Sequence, residues 1–239
     1  MIAVVLAAGI SSRLRPLTND LPKSLLAVGP TPLLQRTLES LHKSHLSECV
    51  IVTGFRREKI EAFVRSLSLP LPISFVENPL FASTGNNYSL WTAQRHVRGR
   101  EILVLDADIL FDSRLLQVIM NAPVANGIVI RRTSNLGAEE IKVEVDQFQL
   151  VQHIGKDIIP TAAAGESIGI EKFDAKTVTT LFEILDRRKQ YNEFYEASFQ
   201  ELIDQGIKLH AIDSQGLPCM EIDTLEDLTA ANELAESLS

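Results

Sequence analysis

The sequence predicts an α/β fold, a mixed, mostly parallel sheet flanked by helices, built as one domain over 1-239. Three observations predict it. Short apolar runs rich in β-branched residues recur through the first half: Ile2 to Leu6, Val50 to Thr53, Ile73 to Val76 and Ile102 to Leu105. Amphipathic stretches of helical period separate these runs. No Pro/Gly/Ser-rich linker divides the 239 residues, a length at which one α/β domain buries a substantial core.

The elements follow in order. Ile2 to Leu6 is a buried strand that runs into Ala7-Ala8-Gly9, then Ser11-Ser12-Arg13, then Pro22-Lys23. Thr31-Pro32 opens a helix to about His45, with Leu33, Leu34, Leu38 and Leu41 on one face. The strand at Val50 ends at Gly54, and residues 56–68 form a charged helix with Ile60, Phe63, Val64 and Leu67 inward. After the third strand comes a loop and a helix from Asn86 to about His96. Ile102 to Leu105 then delivers Asp106-Ala107-Asp108 at its C-terminal end. This alternation implies right-handed crossovers, and ligands on such sheets sit beyond the carboxyl ends of the strands. The second half changes rhythm: strands at Val124 to Arg131, Ile141 to Val145, Gln149 to Ile154 and Ser167 to Glu171, then helices at about 174–188 and 193–204. Two short strands, about 207–212 and 219–222, precede a helix from Leu225.

Bulk composition narrows the function classes. A net charge of −8 argues against broad nucleic-acid binding while leaving room for a local cationic pocket. No apolar segment reaches transmembrane length, and the first strand lacks the basic flank of a secretion signal. Cys49 and Cys219 are the only cysteines and fit buried small hydrophobes in a reducing cytoplasm. The expectation is a cytoplasmic protein with no nucleic-acid and no membrane partner.

The first loop carries the clearest chemistry. Small residues after a strand let backbone N–H groups converge on one point, and Arg13 and Lys23 add fixed positive charge. Such a loop suits a polyphosphate; its plainer reading is a tight turn with two solvated cations. Neither the Walker A pattern nor the dinucleotide glycine pattern is present. Asp106 and Asp108, two apart, point to one face if strand geometry persists, and are hard oxygen ligands for Mg²⁺ or a solvated turn. Thr224 and Asp227 read as an acidic capping box, which leaves Asp223 unexplained. Lys142 reads as the exposed face of an alternating strand, with a phosphate contact as the alternative. Asn86 and Asn87 after Gly85 exceed what one helix cap needs. Tyr191, Phe194, Tyr195, Glu196 and Glu221 could hold an ammonium group by ring faces and charge, or could be core aromatics of an amphipathic helix.

The strings Leu6 to Gly9, Arg13-Leu14, Pro16-Leu17-Thr18, Pro22-Lys23 and Leu25 together resemble the signature of nucleotidyltransferases that activate sugar phosphates and alcohol phosphates. Further matches lie near 84–90, 104–111, 153–171 and 220–228, so the resemblance covers nearly the whole chain. Ser11 stands where that pattern usually has Gly, and its Cβ should keep the loop from a strongly positive φ. The resemblance implies a Rossmann-like sheet of the nucleotide-diphospho-sugar transferase type, with a nucleotide-binding half, 1-125, and an acceptor-binding half, 126-239. It implies Leu6, Ala7, Ala8, Gly9, Ser11 and Ser12 on the nucleotide, with Thr84, Gly85, Asn86, Asn87, Ser89 and Asp106 also on the nucleotide side. It implies Mg²⁺ on Asp108 and Asp223, with Asp106 nearby, and Arg13, Lys23 and Lys156 as the catalytic cations. Lys156, Glu166, Tyr195, Glu196 and Glu221 would face the acceptor.

The Asn-Asn-x-x-Ser-Leu form at 86–90 is similar to the branch of CTP:phosphocholine and phosphonate cytidylyltransferases. The implied partners are CTP and a small phosphate or phosphonate, phosphocholine or 2-aminoethylphosphonate in type, with a homodimer as a further expectation. The alternatives are a sugar-1-phosphate nucleotidyltransferase using UTP, dTTP or GTP, and a nucleotide-binding module without catalysis.

Overall fold

The computed structural model describes residues 1–133, 136–190 and 192–238. The first half forms β1 (Ile2–Ala7), a ribbon of β2 (Ala27–Val28) and β3 (Thr31–Pro32), α1 (Leu33–Lys43), β4 (Glu48–Thr53), α2 (Arg57–Ser66) and β5 (Ile73–Glu77). Then follow α3 (Asn86–Thr92), α4 (Gln94–Val97), β6 (Ile102–Asp106), β7 (Ile109–Phe111) and α5 (Arg114–Asn121). The second half supplies β8 (Gly127–Arg131), β9 (Lys142–Val145), β10 (Val151–Gly155), β11 (Gly165–Phe173), α6 (Ala175–Arg188), α7 (Glu196–Asp204), β12 (His210–Asp213), β13 (Cys219–Glu221) and α8 (Leu225–Ser237).

Among the described residues the main sheet has nine strands, ordered β10-β9-β11-β6-β1-β4-β5, with β8 pairing to both β11 and β12. The block β6-β1-β4-β5 is parallel, as the strand–helix alternation requires. The long strand β11 joins this block antiparallel, with Ile170 opposite Leu105, and carries the second half. Its register is irregular between Ser167 and Glu171, where Gly169 has φ +69°. A Cβ at Gly169 would stand 2.8 Å from Asp106 Oδ2, so only glycine leaves room for that carboxylate.

Both sheet faces are covered. Val4, Val50, Val104 and Ile128 pack toward α3, α6 and α7, while Val5, Ile51, Leu103 and Ile170 pack toward α1, α2 and α5. A smaller core joins Leu14, Leu26 and Leu33 to Leu110, Ile222 and Ala231, and so fastens the first loop to α8. Each fully buried leucine there contributes about 1.5–3 kcal/mol.

Three local differences from the sequence expectation have physical causes. Thr31-Pro32 is a strand of the β2–β3 ribbon and α1 starts at Leu33, because Pro32 holds an extended ψ of 145° at the cap. The helix expected from 86 to 96 divides at Ala93 into α3 and α4. Residues 112–123 carry no sequence assignment above, yet α5 forms there with Leu115, Leu116 and Ile119 buried at helical spacing. No helix among the described residues is long and apolar enough to cross a membrane.

Candidate active site

The site lies where β1 and β6 end. After β1 the chain makes a short turn at Ser12–Leu14 that buries Leu14 and leaves Arg13 outward. Ser11 adopts φ 54° and ψ 56°, against the expectation that its Cβ would keep it from the left-handed region. That conformation costs about 1–2 kcal/mol. The carbonyl of Ser11 accepts from the Thr18 hydroxyl at 2.7 Å and from the Leu14 amide at 3.3 Å, so buried neighbours hold the turn. Leu6, Gly9, Ser11, Lys23, Ala107 and Asp108 line a cleft beside it. Ala7 also lines that cleft, Ala8 is buried, and Ser12 is exposed.

Charges from distant parts of the chain meet over the cleft. Lys23 Nζ donates to Asp108 Oδ2 at 2.8 Å and to Asp223 Oδ1 at 2.5 Å. Arg13 Nη2 donates to the other oxygen of Asp223 at 2.5 Å and stays 58 % exposed. Burial alone would lower the Lys23 pKa, but the carboxylates of Asp108 and Asp223 outweigh it and hold the ammonium above its usual value. Asp223 is delivered by β13, which pairs with β7, and by α8, whose Thr224–Asp227 capping box forms as the sequence predicts. The Asp227 carboxylate also accepts from the Asp223 amide at 3.0 Å, which orients this residue.

Beside these ion pairs lies an acidic group. Asp106, Asp108 and Glu221 place carboxylate oxygens within 4.8 Å of one another. Asp108 Oδ1 is buried without a partner. A set of hard oxygen donors with one orphaned lone pair fits a divalent cation such as Mg²⁺. The grouping brings in Glu221 beside the expected Asp106 and Asp108; the two oxygens of Asp223 face Lys23 and Arg13. Withdrawal from water and the charge of Asp108 push the Asp106 carboxyl well up, while a 2.7 Å hydrogen bond from the Tyr195 hydroxyl pulls it back. Glu221 reaches about 8, through desolvation and then the charges of Asp108 and Asp223. Glu196 reaches about 7 because it is buried, with Lys156 opposing. Glu171 joins the group from β11, fully buried and raised by burial and by Asp106. No sequence signal separates Glu171 from the other residues of a buried strand, and only the fold brings it to Asp106.

Several expected residues have other partners. Tyr195 is not an open ring for a ligand: it is fully buried, its hydroxyl held by Asp106 and its ring packed on Phe199. Phe194 is exposed, with Lys156 Nζ 5.3 Å over its ring. Tyr191 lies outside the described residues. Lys156 Nζ donates to Glu139 Oε2 at 3.0 Å at the rim. Glu166 is taken up by Arg131, and alternation along β11 sets it on the face opposite Ser167 and Glu171. Lys142 is not exposed: it is 1 % accessible, and its ammonium caps the carbonyls of Gly137 and Glu140.

The Asn segment ties α3 to α7. Asn86 Oδ1 accepts from the Tyr195 amide at 2.8 Å, and buried Asn87 accepts from the Ser198 hydroxyl at 2.8 Å. Ser89 accepts from Asn78, and Thr84 donates to the Leu80 carbonyl. Gly85 is required because a Cβ would lie 2.0 Å from the Glu193 carbonyl oxygen. The side chains of Asn87 and Ser89 thus have hydrogen-bond partners inside the protein.

Comparisons with known proteins identify the family. Residues 3–157 match the MobA-like NTP transferase domain. The chain is 24% identical over 99% of its length, and 99% of the other's, to a choline-phosphate cytidylyltransferase from Streptococcus pneumoniae. It is 32% identical over 54% of its length, and 20% of the other's, to a CMP-5'-(3-aminopropyl)phosphonate synthase from Streptomyces rubellomurinus. Against bifunctional proteins that it also matches, the chain spans about half of their length. The inositol-1-phosphate CTP transferase structure from T. maritima superposes with a TM-score of 0.85 at 22% identity, over 99% of this chain and 95% of that one. A small-residue loop after β1, carboxylates at the end of β6 and a match over most of the chain lead to one placement: the chain belongs to the MobA-like NTP transferase family and is a nucleotidyltransferase.

Proposed function

We propose that this enzyme transfers CMP from CTP to a small phosphate or phosphonate, releasing pyrophosphate. One observation carries the reading: Lys23 bridges Asp108 and Asp223 while Arg13 covers Asp223, at the mouth of the loop after β1. The names of the relatives, which act on choline phosphate and an aminopropylphosphonate, support CTP and this acceptor class. An acceptor oxygen attacks the α-phosphorus as the bond to the bridging oxygen of pyrophosphate breaks, so no covalent enzyme intermediate is needed. Arg13 and Lys23 offer charge to the triphosphate, and Gly9 and Ser11 line the same cleft. Mg²⁺, held by Asp108 with Asp106 and with Asp223 or Glu221, would supply charge neutralisation at the phosphates. Lys156, on leaving Glu139, would meet the acceptor phosphate, and the carboxylates of Glu196 and Glu221 suit a cationic head group. The base contact for the segment at 84–89 does not run through the side chains of Asn87 or Ser89.

The test is pyrophosphate release over four nucleoside triphosphates crossed with phosphocholine, 2-aminoethylphosphonate and several sugar 1-phosphates. Turnover with CTP and a small cationic acceptor is expected, and Asp108→Ala should abolish it with the fold intact. Release only with UTP or dTTP and a sugar 1-phosphate would replace the reading.

A further inference from the structure

Glu171 and Glu196 hold buried carboxylate oxygens that the protein itself leaves without donors. Oε1 of Glu171 accepts weakly from Ser167 at 3.4 Å, while its Oε2 is buried and unpartnered. Glu196 Oε2 is buried and unpartnered as well. Glu171 is 0 % and Glu196 7 % accessible. Both belong to the acidic group that includes Asp106 and Glu221. Native interiors rarely leave such oxygens unpaired, because each one costs its full desolvation penalty. Asp106 and Asp108 are partly exposed and Glu221 is exposed, and Asp108 lines the cleft. The cation that bears on Glu196 is Lys156, the residue placed above on the acceptor phosphate.

We infer that the acceptor carries an ammonium with N–H bonds, and that Glu171 and Glu196 form the end of the pocket that receives it. This rests on the proposed cytidylyl transfer and narrows its acceptor. Orphaned lone pairs call for hydrogen-bond donors, which a primary or secondary ammonium has and a quaternary one lacks. A quaternary ammonium is instead held by several open ring faces, and of Tyr195, Phe199, Trp91 and Phe194 only Phe194 is exposed. Tyr195 packs on Phe199 with centroids 4.8 Å apart, and Phe199 packs on Phe173. Phe194 lies under Lys156, and Trp91 lies under Lys189 Nζ at 4.3 Å.

Phosphoethanolamine and phosphocholine share the phosphate and the two-carbon arm and differ only in N-methylation. Isothermal titration of each into the full chain reads binding without turnover, and steady-state kinetics with CTP and Mg²⁺ read kcat/KM. Phosphoethanolamine should bind, and turn over, roughly tenfold better, as hydrogen bonds to an ionised group allow. Glu171→Gln and Glu196→Gln should each bring that ratio toward one by raising the acceptor KM while the KM for CTP holds. Equal or tighter binding of phosphocholine by the wild-type chain overturns the inference and leaves cytidylyl transfer standing. Preferential binding of phosphoethanolamine with no pyrophosphate release overturns cytidylyl transfer instead. Variants that shift the Mg²⁺ requirement and keep the acceptor ratio would assign these carboxylates to a cation site and also overturn the inference.

Discussion

The ammonium of Lys23 lies 2.5 Å from the carboxylate of Asp223, although 200 residues separate them in the chain. The same ammonium reaches Asp108, so one buried cation ties the end of β6 to the segment before α8. Lys23→Met would leave two carboxylates facing each other without it. Breaking a buried pair costs about 3–5 kcal/mol, and solvent access at Asp108 and Asp223 places this one at the low end, about 3 kcal/mol. Denaturant midpoints with and without Mg²⁺ check it. The variant should lose stability without the ion and recover part of it with the ion, and an unchanged midpoint would count against the bridge.

Tyr195 holds Asp106 through a single hydroxyl while its ring packs on Phe199. Tyr195→Phe keeps the ring packing and removes only that donor. Losing a partner that orients a metal-binding carboxylate typically weakens the site 10–100-fold. The Mg²⁺ concentration for half-maximal turnover should therefore rise roughly tenfold, with the KM for CTP at saturating metal little changed. A Mg²⁺ dependence identical to wild type would show that Asp106 needs no such anchor.

Asn87→Ala separates a structural role from nucleobase reading. Its carboxamide oxygen is buried and accepts from Ser198, so truncation leaves that hydroxyl without its acceptor. Stability should fall by about 1–3 kcal/mol, with the ranking of the four nucleoside triphosphates kept. A folded variant of wild-type stability that accepts UTP as readily as CTP would restore the side chain to the base.

Acid–base linkage gives a fourth outcome. Burial raises Glu196 to about 7 against an ordinary 4.5, so the folded chain binds its proton more tightly than the unfolded chain does. Stability of the ligand-free protein should thus fall as pH rises from about 4.5 through 7, the window in which only the folded state still holds the proton. Glu196→Gln removes this contribution. Melting temperatures across pH 5 to 8 (roughly the working range of such measurements) should decline less steeply in the variant, and parallel curves would refute the assignment.

Features that depend on neighbours in sequence were legible in advance. The small-residue loop after β1, the Asp-Ala-Asp at the end of β6 and the Thr224–Asp227 cap each rest on a few adjacent residues, and each forms. Features set by packing were not. Lys142 alternates like a surface residue, yet the carbonyls of Gly137 and Glu140 fold over it. Asn86 and Asn87 resemble ligand groups because their partners, Tyr195 and Ser198, lie more than a hundred residues away. Glu171 is hidden within a run of buried strand residues, and its meaning depends on the irregular register around Gly169.

The match to the family ends at residue 157, whereas Tyr195, Glu196, Glu221 and Asp223 all come later. The portion matched by the family thus contains the loop after β1 and one half of the ion cluster, and the other half arrives on β13 and α8. A fragment cut at that boundary would keep Arg13 and Lys23 but strip both of their shared carboxylate.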